Sequence, residues 1–378
     1  MRVVVIGGGV IGASAAYHLA RMGVRDLVVV DAARGPGEGS TGKATGGFRA
    51  QFATAINVRL SLLARDKLSR MRDEIGADPG YEPRGYLWLA AGEQELARLR
   101  AARAVQHAEG LTEAVEVTPA EIARFNPAID RTGLVGGAFC PTDGFLRPLA
   151  ILRGYLAAAG RLGARFEWGA EVIGLDRAGD RITAVRTAAL SLAADVVVNA
   201  GGAWAARVAA LAGVDLPVAP LRRQILPTVE QSALPPEMPM TIFGDGFHLR
   251  VRDRCALLLW PDPAPDGFDV SVDPGWMDAV AAMALARVPV LRGVPIDRAG
   301  AWAGLYEMSP DRHAILGAAP GCANLYLVNG CSGHGVMHAP ALGQLVAEMI
   351  CGAPPSLDVS ALRPSRFAEG AANPSADL

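Results

Sequence analysis

The segment RVVVIGGGVIGASAAYHLARMGVRDLVVVD, residues 2–31, constrains the fold more than any other, because it holds every part of a dinucleotide-binding strand–helix–strand unit in register. The apolar run Val3 to Ile6 predicts a buried parallel strand, and Gly7, Gly9 and Gly12 fill the G-x-G-x-x-G positions at the turn into a helix. Gly7 permits the tight turn, Gly9 lets the backbone approach a pyrophosphate, and Gly12 lets the helix lie close on the strand. Free N–H groups at the helix start attract the anion. Leu27 to Val30 predicts a second strand ending at Asp31, where a carboxylate can accept from a ribose hydroxyl. A signal peptide would share Arg2 and the apolar stretch, but no clear h-region and cleavage pattern is present and the second strand fits only the βαβ reading.

A chain of 378 residues exceeds the size at which a single core stops growing, so two domains are expected. Lysine and arginine together number 36 against 38 acidic residues, without long runs, which gives no electrostatic case for nucleic acid or an anionic membrane as partner. No apolar stretch is long enough to span a bilayer. The five cysteines, Cys140, Cys255, Cys322, Cys331 and Cys351, show no C-x-x-C spacing. Neither a zinc site nor a disulfide framework is expected, and a cytoplasmic location fits best. Lys43 and Lys67 are the only lysines, and Lys43 lies in a glycine-rich segment.

That segment, residues 35–52, is too rich in glycine and small polar residues to be regular, and predicts a cofactor-lining loop. A helical pattern follows through Leu60, Leu63, Ala64, Leu68 and Met71; residues 81–90 predict a turn into a strand and 93–108 a surface helix. Residues 141–203 return to α/β character: PTDGFLRP opens a helix to Gly160, a short strand ends near Leu175, and DVVVNAGGAW is a buried strand followed by glycines. From Pro217 to about Ala301, short strands between proline and glycine turns predict an antiparallel second domain. The segment from Asn324 to Ile350 then gives a strand, a glycine-rich turn and a helix with Leu342, Leu345, Val346, Met349 and Ile350 on its apolar face.

With VVVIGGGVIGASAAYHLA, GSTGKATGGFRAQF, VVVNAGGAWA, AWAGLYEMSPDRHAILG and CSGHGVMHAPALGQLVAEMI in place, the chain resembles the D-amino acid oxidase superfamily of flavoproteins, in its sarcosine oxidase and amino acid dehydrogenase branch. The resemblance implies an α/β fold with an α+β second domain: a Rossmann-like FAD-binding domain of the glutathione-reductase-like type 2 architecture and an antiparallel-sheet substrate domain. On this reading residues 1–82, 141–216 and 303–367 form the discontinuous FAD domain, 83–140 and 217–302 the substrate domain, and 368–378 a flexible tail. FAD would be held by Gly7, Gly9, Val10, Ile11 and Gly12, by Asp31 and Ala32, and by Ser40, Thr41, Lys43, Ala44, Thr45 and Gly46 of the loop. Val172, Ala200, Gly201 and Trp204, and Gly333, His334, Gly335, Val336 and Met337 of the closing turn, complete that set. A helix N-terminus in the closing turn suits the negative charge that reduction builds at the flavin's pyrimidine edge.

Some members of the superfamily attach FAD through a histidine in the first loop or a cysteine before the late strand; here Gly42-Lys43 and Gly304 stand there, so noncovalent FAD is expected. Arg49 matches an arginine that pairs with the substrate carboxylate, and its other reading is a structural ion pair. Met337 replaces a lysine that helps bind that carboxylate, and the antiparallel region has no lysine where those oxidases activate oxygen. A dehydrogenase is therefore favoured over an oxidase, with oxygen, a quinone or a partner protein as electron acceptor. His334 could donate to the reduced ring or line the substrate space, His248 could face substrate or be a satisfied core histidine, and Tyr306 and Trp260 could form an aromatic cage or simply pack. The expected reaction is dehydrogenation of a small zwitterionic amino acid, primary or N-alkylated (glycine, sarcosine, a proline-like or a D-amino acid), by hydride transfer to flavin N5, giving an imine that hydrolyses. A 2-hydroxy acid dehydrogenase, the flavin subunit of a hetero-oligomeric dehydrogenase and an NAD-dependent enzyme are the alternatives.

Overall fold

The computed structural model describes residues 1–261 and 267–375. Its first sheet orders six strands as Ile315–Ala318, Leu325–Asn329, Val196–Asn199, Arg2–Ile6, Asp26–Asp31 and Arg165–Trp168. Every neighbouring pair is parallel except Ile315–Ala318 against Leu325–Asn329. Val3, Val4 and Val5 are buried on both sides, as a parallel strand between two layers requires. Chain order reverses at Arg2–Ile6, so the crevice beyond its carboxyl end is the topological switch point where such sheets bind ligands.

Helices Val10–Arg21, Pro148–Arg161 and Gly335–Cys351 build the core on one face of this sheet. The other face is covered by helix Ala205–Ala210 and a three-stranded antiparallel sheet, Val172–Ala178, Arg181–Thr187 and Ser191–Ala193. The single short strand expected to end near Leu175 is thus two strands, Arg165–Trp168 and Val172–Ala178, in different sheets. The closing helix Gly335–Cys351 lies on helix Val10–Arg21 because Gly343 has no side chain: a Cβ there would come 2.2 Å from Ser14 Oγ. That contact fixes where the N-terminus of the closing helix points.

The second sheet runs Trp302–Met308, Ala219–Pro227, Cys255–Leu259, His248–Arg252, Met240–Ile242, Tyr86–Ala90, Gly136–Cys140 and Val115–Val117. It departs from the expected purely antiparallel pattern at one place, where Met240–Ile242 runs parallel to Tyr86–Ala90 across two distant parts of the chain. Two further differences concern boundaries. Strand Trp302–Met308, read from the sequence as cofactor domain, pairs along its length with Ala219–Pro227 and belongs to this sheet. Residues 274–287, read as part of a strand-and-turn region, form a helix capped by Asp273, whose carboxylate accepts from Gly275 N–H at 2.9 Å. Pro274-Gly275 reads as a turn in sequence, yet proline at the first helical position is compatible with a helix. Its Trp276, Val280 and Ala284 fill the second core beneath Leu226, Leu249 and Leu258.

Beyond the last core residues, in the segment read as a loose tail, Asn373 is fastened by two bonds to Asp311, from its N–H and its amide nitrogen, each at 3.0 Å. Asp311 also holds the fully buried Arg366 bidentately, at 2.8 and 2.9 Å. The final residues, 376–378, lie outside the described part.

Candidate functional site

The glycine turn tests whether a dinucleotide fits. Gly7 has φ +107°, and a Cβ there would meet Ala200 O at 2.3 Å; a Cβ on Gly12 would meet Gly7 O at 1.8 Å. These two glycines are required by the protein itself. A Cβ on Gly9 would find nothing nearer than Thr41 Oγ1 at 3.5 Å, so that position is open on the side where a ligand's phosphates would approach. Helix Val10–Arg21 has no side-chain cap, and Thr41 Oγ1 accepts from Val10 N–H at 3.2 Å, drawing Ser40–Lys43 over the helix start; those residues form one short helical turn inside the segment read from the sequence as irregular. Asp31 stands at the end of its strand as expected, but both carboxylate oxygens already accept backbone bonds, from Gly8 N–H at 2.6 Å and Ala33 N–H at 2.7 Å. It shapes the turn before it meets any ribose. Ala200 is hydrogen-bonded to Ile6 O, Gly201 to the side chain of Asn199, and Val172 is half-buried beside the second layer. Trp204 is exposed and its ring lies 5.4 Å from Phe268.

Lys43 sits where the loop meets the second sheet. Its carbonyl accepts from Trp302 Nε1 at 2.9 Å, and a Cβ on Gly304 would come 2.7 Å from its Cβ. Ala44, Thr45 and Gly46 continue to a short ladder, Gly47–Phe48 against Gly144–Phe145, which delivers Arg49 to the junction of the two sheets.

Arg49 is the centre of the site. Its guanidinium lies 3.9 Å over the Phe52 ring and 5.1 Å from the Trp88 ring, and its Nη2 is 3.1 Å from His334 Nε2. An arginine only donates, so Nε2 of His334 accepts and the neutral ring carries its proton on Nδ1. Burial, with the positive charge of Arg49 added, holds His334 well below the ordinary histidine range, which agrees with that neutral form. His334 is the N-cap of the closing helix, following Ser332 and Gly333 with φ of +49° and +92°. A Cβ on Gly333 would strike the Tyr306 ring at 2.4 Å, so the glycine lets Tyr306 lie against the turn.

Tyr306, His248 and a residue the sequence reading missed, Arg223, lie on one face of the second sheet within electrostatic reach of Arg49, and the space between that face and Arg49 is the candidate cleft. Arg223 lies opposite Gly304 in the sheet register, and its guanidinium sits 5.5 Å from the Tyr306 ring. Burial lowers His248, and Arg223 and Arg49 both act on it electrostatically. Burial raises the Tyr306 hydroxyl, which the same two arginines partly oppose. Two guanidinium groups thus share one cleft with Tyr306 and His248. His248 Nδ1 is fixed by Gly246 O at 2.9 Å, so its orientation is set locally even though it faces the cleft. Trp260 packs against the second core instead of joining a cage.

Two buried carboxyls were also missed. Asp143 accepts from Ala50 N–H at 2.7 Å and Gln51 Nε2 at 3.0 Å, pinning the backbone behind Arg49, and burial pushes its pKa up to about 6. Glu307 accepts from Gly330 N–H at 3.1 Å inside the closing turn, and burial pushes it up to about 7. The buried Cys331 thiol beside it is raised well above its ordinary value by that burial and by the Glu307 carboxylate, and it packs in the core as a neutral thiol. His338 bonds Ser61 Oγ at 2.8 Å and His313 bonds Thr54 Oγ1 at 2.9 Å, which places both in the wall behind Phe52. The Asp269 carboxylate, in the region without a lysine, is exposed and bound to Arg222 and Ser271. Among the described residues no cluster has the make-up of a metal site, and no helix is long and apolar enough to cross a membrane.

Residues 2–349 match the family model described as FAD dependent oxidoreductase. Mitochondrial dimethylglycine dehydrogenase of Mus musculus is 28% identical over 96% of this chain, but that alignment covers 44% of the relative, so the chain spans less than half of its length. Glycine oxidase of Geobacillus kaustophilus is 27% identical over 92% of both proteins. Among solved structures, L-proline dehydrogenase from P. horikoshii superposes with a TM-score of 0.89 at 27% identity, covering 98% of this chain and 99% of that one.

Proposed function

We propose, from the premise that the chain belongs to the FAD-dependent oxidoreductases, that it dehydrogenates a small amino acid, primary or N-alkylated, at the carbon bearing the amine. The observation that carries the proposal is the pair of guanidinium groups, Arg49 and Arg223, on one cleft with Tyr306 and His248 at the junction of the two sheets. The chemistry that bound FAD would supply is acceptance of a hydride from the substrate Cα, and it belongs to the cofactor.

FAD would be held through Gly7, Gly9, Gly12 and the N–H groups of Val10 and Ile11 at its pyrophosphate. Asp31 and Ala32 would flank its adenosine, and the segments Ser40–Gly46 and Gly333–Met337 its ring. Arg49 binds the substrate carboxylate, and Arg223 supplies a second positive charge in place of the lysine absent at Met337. His334, neutral and accepting from Arg49, holds the guanidinium in place without competing for the carboxylate. A protonated amine cannot expel hydride, and the two arginines together with Phe52, Trp88 and Tyr306 favour the neutral amine by charge repulsion and desolvation. The amine proton leaves to solvent and no dedicated base is required. The imine product then takes up water.

The cofactor is expected to be noncovalent, and dehydrogenase chemistry is favoured over rapid use of oxygen. The described parts of residues 256–272 contain no lysine, and Asp269 there is engaged by Arg222. Lys43, the lysine of the cofactor loop, is the candidate to supply that missing lysine charge for oxygen reduction. An anaerobic panel of amino acids and their 2-hydroxy analogues tests the reading: an amino acid should bleach the flavin within seconds and its hydroxy analogue should not. Faster bleaching by the hydroxy acid contradicts it. Mixing the reduced protein with air-saturated buffer tests the second part, where reoxidation as fast as turnover would make this an oxidase.

A further inference from the structure

A second arginine-rich cavity lies behind the cofactor loop, away from Arg49. It has a volume of about 220 Å³ and is lined by Arg84, Arg147, Arg250, Arg252 and Arg254. The carboxylates in its wall are Glu82 and Asp253. Arg147 grips Asp253 with both terminal nitrogens, at 2.9 and 2.8 Å, and Arg84 leans on Glu82 at 3.4 Å. Arg254 also faces Glu230 at 3.8 Å, outside the lining, so three carboxylates stand against five guanidinium groups and the wall keeps a net positive charge. The buried Arg250 donates to carbonyl oxygens, Thr45 at 2.8 Å and Gly46 at 3.2 Å, and stacks 3.6 Å over Phe145. Burial lowers it to about 10, so it stays charged at neutral pH.

The hairpin that carries Arg252 and Arg254 turns at Asp253 and Arg254, with φ of +51° and +65°. Such turns favour asparagine and glycine, so the left-handed backbone at Asp253 and Arg254 is a strained feature held in the cavity wall. Guanidinium forks present paired N–H groups that match the oxygens of carboxylate and phosphate. The volume suits a small molecule and excludes a protein segment.

We propose that this cavity binds a small molecule bearing two or more anionic oxygen groups, carboxylate or phosphate, and that its occupancy is transmitted to the cofactor loop. Arg250 and Arg252 supply the transmission, since they hold the carbonyls of Ala44, Thr45 and Gly46 from the cavity side. Gly46 then leads through Gly47 and Phe48 directly to Arg49. The buried cluster of Tyr86, Phe145, Met240 and Ile242 keeps the two cationic sites apart, with Tyr86 under the electrostatic influence of both Arg49 and Arg250.

Calorimetric titration of the FAD-loaded protein at constant ionic strength, with citrate and separately with pyrophosphate, tests the proposal. The exposed pair is removed in an Arg147→Gln, Arg254→Gln double variant, which leaves the carbonyl-binding arginines in place. One saturable site per chain is expected for at least one of the two anions, weakened by about tenfold or more in the double variant, while flavin content is unchanged. Preference for citrate identifies a carboxylate ligand and preference for pyrophosphate a phosphate one. The same anion should slow FAD release in the wild type and not in the double variant. Binding no stronger than that of chloride, or equal binding by the variant, overturns the site; an unaltered FAD release rate at saturation overturns the transmission.

Discussion

Gly7, Gly12 and Asp31 meet within one strand–helix–strand unit, whereas Arg223, His248 and Tyr306 meet only because their three strands share one sheet, those of Arg223 and Tyr306 as neighbours and the His248 strand one further along, beyond Cys255–Leu259. In the first region each residue's task follows from its neighbours in sequence. In the second it follows from register: Arg223 faces the cleft because it lies opposite Gly304, on the same side of the sheet as Tyr306. A cofactor cradle can therefore be shared by many chains, while the residues that choose a substrate vary with the pairing of strands.

This contrast sets out what each substitution should do. The largest effect is expected for Gly7→Ala, whose Cβ would lie 2.3 Å from Ala200 O at a φ of +107°. The protein should purify almost without flavin, read from the ratio of visible to ultraviolet absorbance, and a normal ratio would break the claim that this turn is fixed by packing. Asp31→Ala comes next. It removes the acceptor for Gly8 and Ala33, and FAD should bind more weakly by roughly 1.5 to 3 kcal/mol, measured by flavin release on dilution. Arg223→Met touches only the second region, so flavin content should stay constant while the substrate dissociation constant rises about tenfold. Loss of flavin in that variant would show the two regions to be one.

The last effect concerns Glu307. Its pKa is raised in the folded protein, to about 7, so its contribution is full at acid pH and is lost as pH rises through that value. Thermal stability of the wild type relative to Glu307→Gln should fall by roughly 1 to 3 kcal/mol between about pH 4.5, its ordinary value, and about pH 7. His18 and His338, held down at about 3 by burial, act the other way as the medium becomes acidic, and comparing the two proteins at equal pH removes their influence. A difference that does not change with pH would mean that Glu307 is ionised throughout.

The first sheet was legible because apolar runs, glycine spacing and a terminal acid are local signals. Helix Glu93–Ala108 and the helix that begins at Pro148 were legible for the same reason, from their periodicity and from the proline at the first helical position. The pairing of strand Trp302–Met308 with Ala219–Pro227 was not legible because it is decided by a partner far away in the chain, and helix Pro274–Arg287 was hidden behind a Pro-Gly pair. At the site, Arg49 and His334 could be named from the glycine-rich segments that carry them, though not that they would touch. Arg223 follows another arginine on a strand, and sequence alone does not say which of Arg222 and Arg223 faces the cleft. Asp143 stands in a Thr-Asp-Gly turn that looks solvated, and only the fold buries it beneath Ala50 and Gln51.

The central claim is that Arg49 holds the carboxylate of an amino acid over the cofactor at the junction of the two sheets. Stopped-flow reduction of the FAD-loaded Arg49→Met variant under anaerobic conditions, with the best amino acid from the substrate panel, tests it most directly. The expected result is a normal oxidised flavin spectrum and full flavin content with reduction slowed by about a hundredfold, because a substrate without its anchor is both weakly bound and misoriented. Reduction at the wild-type rate, or a variant that cannot retain flavin, would contradict it.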